Sequence, residues 1–205
     1  MIKLFHAWSS CSLAPYIALT EAGAHFEVAV MDTKLGDQRQ AEYLAINPKG
    51  RVPALVTDRG VLTENVAILA WIAQAYPDAG LMPTEPWAFA QAQAFHSYLA
   101  ATVHVAHAHR HRGYRWADTE AAFADMTAKT PQNMAACFRL IEDELIGAPW
   151  VLGEAYSVCD AYLFTIAAWL AVDGVDVTRF PKVARHQARM RARPAVRKVL
   201  AEQAS

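Results

Sequence analysis

The sequence predicts an α/β domain followed by an all-helical one. Three observations carry that expectation. Residues 1 to about 76 alternate short period-two apolar runs with helix-period runs. The remainder shows helical periodicity only, and a Pro-rich stretch from Pro77 to Pro86 separates the two textures. A chain of 205 residues can bury a sizeable core in one domain or in two small ones.

The elements follow in order. "IKLFHA" is a first strand with Ile2 and Leu4 on one face. "SLAPYIALTEAG" is a helix stopped at Gly23, the usual residue for a left-handed exit. "HFEVAVMD" is a second strand, with Phe26, Val28 and Val30 on one face. "DQRQAEYLAI" forms a short helix before the loop "NPKGR". "VPALVTDRGVLTE" forms a hairpin that turns at Asp58-Arg59-Gly60. "ENVAILAWIAQAY" is a third helix, its apolar face carrying Val66, Leu69, Ala70, Ala73 and Tyr76.

The order βαβ then ββα is the plan of a thioredoxin-like domain. The expected fold is thus an α/β thioredoxin-like N-terminal domain (residues 1–76), a linker (77–86) and an all-α C-terminal domain (87–205). About five helices are expected in the latter, with "LIGAPWVLGEAY" as a loop between two of them.

Composition excludes several classes. Hydrophobic residues make up 54%, charged residues 19%, and the net charge is -1, so nothing points to nucleic acid or an anionic membrane. Cys11, Cys137 and Cys159 form no evenly spaced framework, which favours a reducing compartment. "MIKLFHAW" lacks a signal-peptide plan, and the apolar run Ala161–Val172, bounded by Asp160 and Asp173, is too short to span a bilayer. A cytoplasmic setting is expected.

The stretch "WSSCSLAP" holds the first candidates for chemistry. Cys11 stands at the end of a strand and the start of a helix, where backbone N–H groups and the positive helix end would lower a thiol pKa from about 8.5. Ala14 stands three residues on, so a dithiol cycle within this segment is excluded. The alternative is a small buried cysteine capping the sheet. Val52-Pro53 is the place where such a domain commonly has a cis proline, leaving the Val52 backbone to pair with an extended peptide. A trans proline in a plain loop is the alternative. Thr63, Glu64 and Asn65 open the third helix, where N–H groups bind a carboxylate and Glu64 could hold an ammonium; a simple acidic cap is the other reading.

Three further features need a reading. His104, His107 and His111 share one helix face, but no carboxylate or cysteine at ligand spacing accompanies them, and Arg110 and Arg112 would repel a dication. No metal is therefore expected. Ser157 and Asp160 form a capping box at the head of an apolar helix, a folding feature. "RHQARMRARPAVRK" is expected to be a solvated helix face.

Taken together, "SSCSLAPYIAL", "LAINPKGRVPALVTDRGVLTEN" and "GEAYSVCDAYLF" stand in the order and spacing of a cytosolic glutathione S-transferase, which the chain resembles over nearly its whole length. The resemblance implies a homodimer, glutathione as co-substrate, no tightly bound cofactor, and a transferase acting on small, mostly apolar electrophiles. "CSLAP" and "NPKGRVPAL" look most like the bacterial beta class, in which a cysteine contacts the glutathione sulfur and a histidine of the helical domain lies nearby. Cys11 and His104 match those residues, with His107 as second choice for the histidine. Lys34, Val52, Pro53, Glu64, Asn65 and His104 fall on glutathione-contacting positions, as more weakly do Ser97 and Ala101 through Val103.

"SSCS" also resembles the zeta-class motif, in which a serine activates glutathione for maleylacetoacetate isomerisation. Ser9 or Ser10 would then be the catalytic group. The arginine expected after that motif is replaced by Ala14-Pro15, and Cys11 is preferred because a helix N-terminus suits a thiolate. A thiol reductase or dehalogenase, with a mixed disulfide at Cys11, and a non-catalytic binding module are the other classes. Trp8, His107, Tyr114 and Trp116 are the candidates for the second-substrate pocket.

Overall fold

The structure, a computed structural model, describes residues 1–203. Strand β1 (Ile2–His6) buries Leu4 and His6 and exposes Lys3, so its alternation decides which face meets the core. It lies parallel to β2 (Phe26–Val30), Ile2 opposite Phe26 and His6 opposite Val30. On its other side β3 (Ala54–Thr57) runs antiparallel and continues through a tight turn into β4 (Gly60–Thr63), giving the order β2-β1-β3-β4. Helix α1 (Leu13–Glu21) joins β1 to β2, and Gly23 exits it at φ 65° as expected. The short helix before "NPKGR" is a 3₁₀ turn followed by α2 (Ala41–Leu44).

Helix α3 (Asn65–Ala75) closes this half, but its buried face differs from the expected one. Asn65, Ile68, Leu69, Ile72 and Ala73 are buried, whereas Val66, Ala70 and Tyr76 are only half-buried. "VAILAWIA" is apolar all round, so periodicity alone does not orient it. Packing against α1 and the helical half selects the Ile68–Ile72 side.

After the Pro-rich stretch come α4 (Pro86–Tyr98), α5 (His104–Arg112), α6 (Glu120–Leu140), α7 (Val158–Ala167), α8 (Pro181–Ala192) and α9 (Pro194–Gln203). Glu85 caps α4, its carboxylate accepting from Trp87 and Ala88 N–H at 2.9 and 2.8 Å. Helices α4 and α5 form one rod interrupted by a π turn over Leu99–Val103, which the sequence did not announce.

The Ser157/Asp160 capping box is present at the head of α7. Asp160, fully buried, also accepts from Val151 N–H at 2.8 Å and lies 3.0 Å from His186 Nε2. The segment from Ala161 is a buried helix through Ala167.

One apolar cluster runs from Leu4 and Leu55 of the sheet through Ile17, Ile68 and Ile72 to Leu163 and Ile166 of α7. Each such side chain contributes about 1.5–3 kcal/mol by leaving water. The basic C-terminal run is not simply solvated. Met190, Val196 and Val199 are buried, and Arg193 lies 3.7 Å from the Tyr156 ring centroid while pairing with Glu21 at 2.5 Å. Its cationic stems cover apolar surface, a use that charge counting misses.

Candidate active site

The turn from β1 to α1 is tied internally. Ser12 Oγ, buried, accepts from Ala7 N–H at 3.0 Å and lies 2.8 Å from His6 Nδ1 and 2.6 Å from Ser10 Oγ. Ser10 Oγ also accepts from Ser12 N–H at 3.2 Å, so that hydroxyl is spent on the turn. Ser9 is exposed with φ 61°, and its carbonyl accepts from Trp169 Nε1 at 3.1 Å. Left-handed backbone is costly for a residue with a Cβ, and the Trp169 bond from the helical half helps hold it.

Cys11 faces the other way. Its thiol donates to the Val52 carbonyl at 3.5 Å, and its own carbonyl accepts from Asn65 Nδ2 at 2.9 Å. The Val52-Pro53 peptide is cis. Asn47 and Tyr43 hold the segment before it, donating to the Arg51 carbonyl at 2.7 and 2.6 Å. Gly50, at φ 58°, must be glycine there, because a Cβ would stand 2.9 Å from Arg39 Nη1 and 3.0 Å from the Gln38 carbonyl.

A cleft of about 330 Å³ opens at this point. Cys11, Val52, Pro53, Glu64 and Asn65 line one wall; His104 and Trp116 line the other. These residues come from five places in the chain, and the fold brings them together.

The remaining candidates lie elsewhere. Lys34 is exposed in the loop after β2, its N–H bonded to Asp32 Oδ1 at 2.8 Å, and is not on the cleft wall. Ser97 and Ala101 are exposed and outside it, and Val103 is buried. Trp8 is half-buried against the core, 4.5 Å from the His6 ring, and is not on the cleft wall. His107 stacks on Trp169 at 4.2 Å and pairs with buried Asp173 at 2.8 Å. Tyr114 is 59% exposed and lines a separate hollow. The periodicity of α5 places residues on a face but does not say which neighbour fills that face; Trp169, 62 positions beyond His107, claims it.

Burial overturns the expected acidity of Cys11. Its thiol is pushed up to about 12 by desolvation, and the Arg112 guanidinium only partly opposes this. The helix-end argument therefore loses to burial. His104 is driven down to about 3, first by burial and then by Arg112, His107, Arg51 and Arg115, so it is a neutral imidazole. Glu64, at φ 71°, pairs with Lys49 at 2.6 Å. Among the described residues no group of three or more His, Cys, Asp or Glu is placed to hold a metal.

Sequence reasoning missed Asn47, Arg51, Arg115 and Tyr162, which also line the cleft. "NPKGR" contained the first two; nothing local marks the others.

A thioredoxin-like sheet with a lone cysteine facing a cis-proline peptide, closed by a helical half, is the architecture of a glutathione-handling transferase. The comparisons agree. Residues 1–74 match the family model "Glutathione S-transferase, N-terminal domain". Over 203 residues the chain is 30% identical to glutathione S-transferase GstA of Escherichia coli O157:H7, covering 97% of each chain. It is 28% identical over 166 residues to a maleylacetoacetate isomerase of Pseudomonas aeruginosa, covering 79% of this chain and 76% of that one.

Among solved structures, a glutathione transferase homolog from Sulfitobacter with bound glutathione superposes with TM-score 0.97 at 43% identity, covering 99% and 98% of the two chains. The beta-class enzyme of Sphingomonas chungbukensis gives TM-score 0.85 at 31% identity, covering 98% of each. The chain belongs to the glutathione S-transferase family, and its activity is that of a glutathione transferase.

Proposed function

We propose that glutathione lies along the Val52-Pro53 edge, its γ-glutamyl end near Glu64 and Asn65 and its sulfur at Cys11. The observation that carries this is the meeting of the Cys11 thiol, the Val52 carbonyl and Asn65 on one cleft wall. Because burial keeps Cys11 protonated at neutral pH, it serves as an S–H donor to the glutathione thiolate. The Arg112 field favours the same negative charge. The thiolate then attacks an electrophile held against α5, where neutral His104 is available as a hydrogen-bond partner.

The division at residues 77–86, a homodimer and a cytoplasmic setting complete the reading. In its support, all three cysteines are free, and no described helix is long and apolar enough to cross a membrane. Light scattering after gel filtration tests the dimer.

The decisive experiment compares Cys11→Ala, Ser9→Ala and Ser10→Ala by turnover and by the ultraviolet titration of bound glutathione thiol. Cys11→Ala is expected to raise the pKa of the bound thiol and to lower kcat/KM about tenfold or more. The serine variants are expected to leave that titration in place. Loss of turnover in Ser10→Ala with Cys11→Ala intact would support the isomerase reading that the Pseudomonas relative keeps open.

A further inference from the structure

Three arginines surround the cleft without a partner. Arg51 and Arg115 line it, and half-buried Arg112 lies at the end of α5, close enough to act on Cys11 and His104. Among the described residues none of the three side chains makes a hydrogen bond or an ion pair; Arg115 has only the ring of Tyr114, 5.9 Å away. Half-buried arginines elsewhere behave differently: Arg110 reaches Asp173 at 3.7 Å, Arg193 reaches Glu21 at 2.5 Å, and Arg189 donates to the Pro149 carbonyl. The acid on the cleft wall, Glu64, is already held by Lys49.

Arg51 is exposed, but Arg112 and Arg115 are half-buried, and two desolvated guanidinium groups of like sign left unpaired beside one cleft are unfavourable until an anion arrives. We infer that the electrophile carries a carboxylate, received by Arg112 and Arg115, while its flat apolar body lies on Val105, Ala108 and Trp116. This rests on the placement of glutathione proposed above. Arg51 precedes Val52 on the tripeptide wall and is left to a carboxylate of glutathione itself. Arg115 belongs to the opposite wall, with His104 and Trp116, and Arg112 closes the helix that carries His104. Carboxylate recognition by a guanidinium fork is directional as well as strong, so these two residues would set which electrophiles are chosen.

A chlorodinitrobenzoate has the required shape. The glutathione thiolate forms a C–S bond at the ring carbon bearing chlorine, the C–Cl bond breaks, and chloride leaves with the bonding pair. The thiol proton goes to solvent, and no oxidant or reductant is needed.

The test uses the full chain and the two S-conjugates of glutathione that differ only in carboxylate against carboxamide on the dinitrophenyl ring. S-methylglutathione reports the tripeptide site. Calorimetry is expected to show the carboxylate conjugate binding about tenfold or more tightly than the carboxamide. In Arg115→Gln and Arg112→Gln that preference should fall towards one with S-methylglutathione binding unchanged, and Arg115→Lys should keep part of it.

Equal affinities for the two conjugates in the unmodified protein would overturn the inference. So would Gln variants that weaken S-methylglutathione as much as the conjugates, which assigns the arginines to the tripeptide. If S-methylglutathione fails to bind the unmodified protein, it is the glutathione placement itself that is wrong.

Discussion

Alkylation of Cys11 is where burial and the helix end make opposite demands. An ordinary thiol titrates at about 8.5, whereas burial carries Cys11 up to about 12. The thiolate fraction at neutral pH falls tenfold for each unit the pKa rises, so the reactive form is depleted on the order of 1000-fold or more. Cys11 lines the open cleft, so a small reagent can approach it. Incubating the ligand-free protein with iodoacetamide and mapping the cysteine peptides by mass spectrometry gives the rate at each site. Cys11 should react orders of magnitude more slowly than free glutathione, with a rate that still rises tenfold per unit at pH 9–10. Removing the guanidinium in Arg112→Gln should slow it further, since that charge favours the thiolate. Modification within tenfold of the free-thiol rate, or a plateau below pH 9, would refute the account of Cys11 as a neutral donor and restore it as a thiolate.

Other outcomes follow from the same geometry. His6 and His96, fully buried, are each held down to about 4, below the 6.5 of an unfolded chain. The unfolded state therefore takes protons first, and stability present above pH 6.5 should fall by about 1.4 kcal/mol per pH unit for each histidine down to pH 4. A urea midpoint that stays flat over that window contradicts this. Asp160→Ala strips the partner from Val151 N–H, Ser157 N–H and His186, and should cost about 3–5 kcal/mol in equilibrium unfolding. A loss under 1 kcal/mol would mean that water replaces the carboxylate. Trp169→Phe deletes the bond to the Ser9 carbonyl while keeping the ring, and should lower kcat/KM about tenfold by loosening the Cys11 turn. Unchanged kinetics would show that the turn holds itself.

What the sequence made legible was local or periodic. Strand alternation, the glycine exit of α1 and the Ser157/Asp160 box each depend on residues a few positions apart, so their signals survive in one dimension. Cys11, Val52 and Asn65 were readable because two short motifs mark them. The second wall was not. His104 and Trp116 lie on the cleft while His107 and Tyr114 do not, and for His107 that choice depends on Trp169 and Asp173, which approach from the turn after α7. The acidity of Cys11 was misjudged for the same reason: helix ends are visible in sequence, but the protein atoms that displace water from a sulfur are not.

The π turn at Leu99–Val103 has a consequence for how such a pocket changes over time. An α-helix advances about 100° per residue, and a π turn takes up one residue more than α-geometry needs. The single rod from Pro86 to Arg112 thus presents His104, Ala108 and Arg112 in a phase that the first half of the rod does not dictate. Loss of one residue between positions 99 and 103 would let plain α-geometry span the same stretch and keep that row on its present side, whereas the same loss from an unbroken α-helix would turn everything beyond it by about 100°. The bulge is thus the one stretch of the rod where a residue can be lost while both of its halves keep the neighbours they already have.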